Sequence, residues 1–160
     1  MKRIEEVYRE ILFQSMEKKR SNLTQADIAN ALKVSLSVVN LALRPLRNMG
    51  ALKINQRSFD VTDKKKILYY WASTRNLEKD IIYKTRVEEP VKKIESEMPR
   101  DATYTAYSAY KFKFRDVPAD YSEVYVYCND LEEIKKRFPE NNKNPNLFVL
   151  KKNMNEITIA

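Results

Sequence analysis

Histidine is absent from this chain of 160 residues, so no step in its chemistry can use imidazole as a base, proton shuttle or zinc ligand. The single cysteine, Cys128, allows neither an intrachain disulfide nor a CxxC metal clip. The single glycine, Gly50, excludes GxGxxG and GxxxxGK loops, which press backbone N–H groups onto phosphates. The longest unbroken apolar run, Ile67 to Ala72, is far shorter than a bilayer span. The opening residues MKRIEEVYRE alternate in charge and contain no signal-peptide hydrophobic region. Together these absences predict a soluble, cytoplasmic protein of a reducing compartment, with no cofactor and no membrane partner.

What is present is apolar mass and positive charge. Hydrophobic residues make up 43% of the chain, enough for a real core. Lysine and arginine number 30 against 22 acids, a net charge of +8. Residues 1–70 hold 14 basic and 7 acidic side chains, so nearly all the excess lies there. Such a field attracts polyanions, and nucleic acid is the usual one. A generic solubilising surface is the alternative.

Periodicity predicts a helix over residues 3–18, with Ile4, Val7, Tyr8, Ile11 and Leu12 as its apolar stripe. Thr24, with Asp27 three residues on, predicts the cap of a short second helix containing Ala26, Ile28, Ala29 and Leu32. Lys33 and Val34 form a turn. Ser35 caps a third helix reaching about Met49, with Val39, Leu43 and Leu46 inward, and Gly50 supplies the left-handed residue that ends it. Residues 51–55 and 58–62 flank Gln56-Arg57 as a small hairpin, and Asp63 caps a helix through the lysine triplet to Trp71. The polar stretch 73–80 marks a boundary between a first domain, 1–75, and a second, 81–160. In the second, Ile81 to Val87 reads as strand and Glu88-Glu89-Pro90 as the start of a helix to about Met98. Thr103 to Tyr110 reads as a helix with Tyr104, Tyr107 and Tyr110 as a ridge. Glu123 to Cys128 is a strand, Asp130 caps another helix, 139–146 is a loop and Leu147 to Leu150 a final strand. The expected fold class is α+β.

Helix, short helix, turn, helix, hairpin is the order of a winged helix-turn-helix. The stretch Thr24 to Leu52, TQADIANALKVSLSVVNLALRPLRNMGAL, resembles winged-helix regulators of the broad MarR-like kind. The likeness lies in Ala29, Val34, the Ser35-x-Ser37 entry, the Val39/Leu43/Leu46 stripe and the exit through Asn48, Met49, Gly50, Ala51 and Leu52. It covers about the first 70 residues and implies duplex DNA as partner. In that reading the third helix enters the major groove. Leu36, Ser37, Asn40, Leu41 and Arg44 then face base edges, with Asn40 suited to adenine and Arg44 to guanine or a phosphate; for Leu41 a semi-buried position is the alternative. Lys33, Ser35 and Arg47 face the backbone, and Lys53, Gln56 and Arg57 form the wing. Pro45 departs from the pattern. It removes an N–H and predicts a kink after Leu43, which either re-aims Arg44 or is tolerated in the exposed second half of the helix.

In the second half the order TAYSAYKFKF, DYSEVYVYCND, helix, NLFVLK is similar to the C-terminal region of AbiEi-type antitoxin regulators. That resemblance implies autorepression, a nucleotidyltransferase-type toxin as protein partner and, with the winged helix, a homodimer. Such proteins often run further, so the chain is expected to be a shorter relative or to lack C-terminal residues. Two competing readings remain: a winged-helix interaction module of a larger nucleic-acid-processing complex, and a single-strand binder using the tyrosine-rich half. The near-neutral charge of residues 71–160 speaks against the second. For catalysis only carboxylates are available: Asp60 and Asp63, Glu88 and Glu89, Asp116 and Asp120, Asp130 with Glu132 and Glu133. None forms an alternating pair on a strand beside a Gly-Ser turn, as a phosphoryl-transfer magnesium site requires. Cys128 lacks an activating histidine and ends an apolar strand, so a buried, inert thiol is expected and no enzymatic activity.

Overall fold

A computed structural model describes residues 2–117 and 119–151, and its mixed α+β chain divides into two units, Met1–Asn76 and Leu77–Ala160. The last nine positions expected in the second domain lie outside the described residues.

The first unit is built from capped amphipathic helices. α1 (Arg3–Met16) buries Val7, Tyr8, Ile11 and Leu12. α2 (Gln25–Leu32) begins where the Thr24 side chain accepts the Asp27 N–H at 3.0 Å. The reciprocal half of the capping box is missing, because the Asp27 carboxylate pairs with Arg20 at 3.3 Å. α3 (Leu36–Asn48) starts at Ser35, whose side chain accepts the Val38 N–H, and buries Val39, Ala42, Leu43 and Leu46 completely. It runs unbroken through Pro45. The lost donor would have served the Leu41 carbonyl on the outer side of the helix, where water can take its place.

α3 ends in a Schellman motif. Ala51 N–H donates to the Leu46 carbonyl at 2.9 Å and Gly50 N–H to Arg47 at 2.9 Å, with Gly50 at φ +70°. The same pair of bonds closes α2, from Val34 to Ala29 and from Lys33 to Asn30, but Lys33 holds the left-handed position at φ +53°. β1 (Leu52–Ile54) and β2 (Phe59–Val61) then pair antiparallel with Lys53 opposite Asp60. Leu23, between α1 and α2, adds a one-residue third strand. It exchanges backbone hydrogen bonds with Phe59 at 2.9 and 2.8 Å. α4 (Lys64–Thr74) is capped by Asp63 and returns over the core, its Tyr70 ring meeting Tyr8 edge-on at 5.7 Å.

The second unit is a four-stranded mixed sheet in the order β3 (Ile81–Thr85), β6 (Leu147–Lys151), β5 (Val124–Cys128), β4 (Thr103–Thr105). β5 and β6 are parallel, joined through α7 (Leu131–Arg137); the other pairs are antiparallel. β6 is buried along Leu147–Leu150, which explains its unbroken apolar run, whereas β5 alternates. The asparagine-rich loop ends in Asn146. Its buried amide accepts the Val87 N–H at 2.8 Å and donates to the Val87 carbonyl at 2.9 Å, extending the β3 edge.

Two expectations need correction. α5 covers only Val91–Ser96, and Pro90 precedes it. Glu88 therefore sits outside the helix and pairs with Lys143 at 2.7 Å and Arg86 at 3.6 Å. The predicted tyrosine helix is split. Tyr104 lies in β4, and α6 (Ala106–Phe114) starts after it, with Ala106 at φ +50° making the sharp strand-to-helix bend.

The two helix ends predict opposite mutational signs. No atom lies within 4 Å of a Cβ built on Gly50, so Gly50→Ala meets only backbone strain and should cost about 1–2 kcal/mol. Lys33→Gly relieves the same strain and should stabilise by up to about 1 kcal/mol. Urea midpoints of the two variants against the parent check both signs.

Candidate nucleic-acid interface

Turning α3 so that Val39, Ala42, Leu43 and Leu46 face the core leaves the opposite face in water. Leu36, Ser37, Asn40, Leu41, Arg44 and Arg47 are all exposed on that outer surface. Leu36 and Leu41 are 55% and 53% exposed, which is high for leucine and settles that Leu41 is not a core residue. Lys33 and Ser35 are exposed at the turn entering the helix, Lys53 on β1, and Gln56 and Arg57 at the hairpin tip. All eleven residues expected to contact nucleic acid are thus solvent-facing, on three consecutive elements of one unit.

One interaction on this face was not foreseen. Arg47 Nη2 donates to Asn40 Oδ1 at 3.0 Å, across two turns of the helix. The arginine expected to face a backbone phosphate thus also steadies the neighbouring amide. A carbonyl oxygen has two lone pairs, so Asn40 keeps an acceptor site and both amide hydrogens. Leu41 and Arg44 border a groove of about 390 Å³ that also touches Tyr8, Pro45, Asn48 and Tyr70.

The β1–β2 hairpin is held by Asp60. Its carboxylate accepts the Asn22 backbone N–H at 2.7 Å and the Asn55 side-chain amide at 2.8 Å, tying the hairpin to the α1–α2 connection. The Asn22 hydrogen bond, helped by that from Asn55, holds the Asp60 carboxyl below the usual carboxylate range; Lys53 opposite adds to this. Thr62 Oγ1 donates to the Gly50 carbonyl at 3.1 Å and Lys66 Nζ to Met49 at 3.2 Å, fastening the end of α3 from the other side. Sequence pattern carries no trace of these ties.

Most of the carboxylates considered for catalysis have structural partners here. Asp63 and Asp130 cap helices; Glu132 and Glu133 pair with Lys135 at 3.1 Å and Arg137 at 2.5 Å. Asp116 accepts the Val117 N–H. Cys128 is buried, its Sγ 3.6 Å from the Asp101 carboxylate oxygens, and burial pushes the thiol pKa up. Among the described residues no group of three or more histidine, cysteine or acidic side chains is placed to hold a metal ion. No helix among them is long and apolar enough to cross a membrane.

Comparison of the chain with models of known protein families, with curated proteins and with solved structures finds no match.

The Asp60 tie has a pH signature. A carboxyl whose folded pKa is depressed contributes stability that is fully present above its unfolded value, about 3.9, and is lost as pH falls through the folded value. Between neutral pH and about pH 3 the parent should therefore lose more thermal stability than Asp60→Asn does. Equal losses in the two proteins would show that the tie carries no charge-dependent stability.

Proposed function

We propose that the chain is a sequence-specific DNA-binding transcriptional regulator. Its first unit is a winged helix-turn-helix, with α3 as the recognition helix and the β1–β2 hairpin as the wing. The observation that carries this reading is the two-sidedness of α3. One face is sealed completely in the core, while the other presents Ser37, Asn40, Leu41, Arg44 and Arg47 to solvent on a unit with net positive charge. An α-helix of this kind fits the major groove, where Asn can bond adenine bidentately and Arg guanine.

The local geometry supports specific roles. Arg47 fixes the Asn40 amide with its NH2 free, so the amide can donate to adenine N7 while its oxygen accepts from N6. Leu36 and Leu41 suit thymine methyl groups. Lys33, Ser35, Lys53, Gln56 and Arg57 surround this centre and serve the phosphates. The Leu23–Phe59 bridge and the Asp60 ties keep the wing rigid beside α3, so that both can engage one duplex. The chain acts by binding, with no catalytic step.

A narrower form of the proposal makes the protein the autoregulating antitoxin of a toxin–antitoxin pair. It rests on the likeness of Thr105–Phe114, the Val-Tyr-Val-Tyr strand β5 and the Asn-Leu-Phe-Val-Leu stretch through β6 to AbiEi-type regulators. The partners are then duplex DNA, a second copy of the chain and a nucleotidyltransferase-type toxin. A nucleotidyltransferase gene next to this one would support the narrower form, and its absence would leave the regulator.

Alanine variants test the recognition model. Asn40→Ala and Arg44→Ala should each cost about 1–3 kcal/mol on the specific duplex and relax preference at one base pair. Lys53→Ala and Arg57→Ala should weaken all duplexes alike and flatten the salt slope by about one. Fluorescence anisotropy on specific and random duplexes separates the two classes. Equal effects of all four variants on both duplexes would remove base reading by α3.

A further inference from the structure

Helix α6 is inverted relative to an ordinary surface helix. Its buried side holds polar groups: Ser108 is 1% exposed, and Lys111 Nζ reaches the buried Glu95 carboxylate at 2.5 Å. Tyr121 donates to the other Glu95 oxygen at 2.6 Å, and the Tyr104 hydroxyl to the Glu95 backbone carbonyl. Its large rings are exposed instead: Tyr107, Tyr110 and Phe114 on one side and Phe112 on another are 44%, 41%, 57% and 53% exposed. Buried polar groups and exposed large apolar groups are the two informative exceptions to normal burial, and both occur on this one helix of nine residues. The sheet core of the unit is complete without these rings.

The rings are not loose. Tyr107 stacks on Tyr121 at 5.5 Å and 19°, Tyr110 leans on Phe114 at 4.7 Å, and Phe112 on Tyr104 at 4.8 Å. At 100° per residue, Tyr107, Tyr110 and Phe114 fall in one stripe along the helix. Residues 71–160 are nearly neutral as a whole, but positive charge is concentrated beside this stripe. Lys113 Nζ lies 5.9 Å from the Phe114 ring centre, and Arg115 is exposed at the helix end. The helix carries no acid. A polyanion that also carries flat apolar rings satisfies both halves of the surface at once. Duplex DNA hides its base faces; a single strand offers them.

We propose that the outward face of α6 binds single-stranded nucleic acid, with bases stacking on Tyr107, Tyr110 and Phe114 and phosphates meeting Lys113 and Arg115. This face belongs to the second unit, and the proposal does not depend on the regulator reading.

The test uses the full chain and fluorescence anisotropy with an oligothymidine of about 12 nucleotides, within the range of a small single-strand site. An abasic strand with the same number of phosphates is the control for charge. The oligothymidine should bind more tightly than the abasic strand. Tyr107→Ala, Tyr110→Ala and Phe114→Ala should each lower its affinity roughly tenfold while duplex binding stays unchanged. The leucine versions of the three keep apolar bulk, fold in place of any alanine variant that does not, and should lose affinity equally, because stacking needs the π face. Equal affinity for the two strands overturns the proposal. So does a leucine triple variant that binds as the parent does, or single-strand binding lost only in Asn40→Ala and Arg44→Ala. Self-association abolished by the alanine variants, without single-strand binding, overturns it in favour of a protein interface.

Discussion

Val39, Ala42, Leu43 and Leu46 are withdrawn from water completely, and that burial fixes the rotation of α3 about its own axis. Burying a valine or leucine side chain is worth about 1.5–3 kcal/mol. Turning the helix by one residue would give up several such contributions. It would also carry Asn40 or Arg44 toward the core, where an unpaired polar or charged group is costly. Core chemistry thus decides which side chains the outer face presents, and everything proposed for that face depends on it. The rest of the unit stiffens the arrangement. The Schellman turn at Gly50 sets the exit into β1, and the Leu23–Phe59 bridge and the Asp60 bonds hold the hairpin where that exit leads.

The second unit follows a different logic. Its sheet is organised by β6, buried along its length and flanked by a parallel and an antiparallel neighbour. Buried polar side chains serve as connectors: Asn146 to the Val87 backbone, Tyr83 to the Phe138 carbonyl at 2.6 Å, and Glu95 to α6. Attaching α6 through Glu95 frees its aromatic residues from the core. A positively charged helical face in one unit and an aromatic, basic face in the other give the chain two chemically distinct surfaces.

Much of the first unit was legible because helix ends leave strong local marks. Thr24, Ser35 and Asp63 cap helices where their side-chain oxygens predict it, and Gly50 takes the left-handed position expected of the sole glycine. β5, α7 and β6 were legible from alternation, an aspartate cap and an unbroken apolar run. The failures share a cause, since each concerns a contact without a periodic trace. A one-residue strand at Leu23 has no period. Tyrosines three apart at 104, 107 and 110 imitate a helix, although a three-residue strand pairs first with β5. Glu88 and Glu89 looked like first-turn acids, but Glu88 is drawn to Lys143, which is remote in sequence. At the candidate site, the exposed face of α3 follows from its apolar spacing except at Leu41, where spacing left burial open, whereas the Arg47–Asn40 bond depends on side-chain conformations that spacing alone does not specify.

The central claim is that the outer face of α3 reads sequence. The most direct measurement is the affinity of the full chain for duplex from the gene's own upstream region against a scrambled duplex of equal length, at two salt concentrations. The account predicts a preference of more than about a hundredfold that persists near physiological salt. Equal, weak and steeply salt-dependent binding to both duplexes would contradict it, and would reduce the basic first unit to a surface that attracts polyanions without reading them.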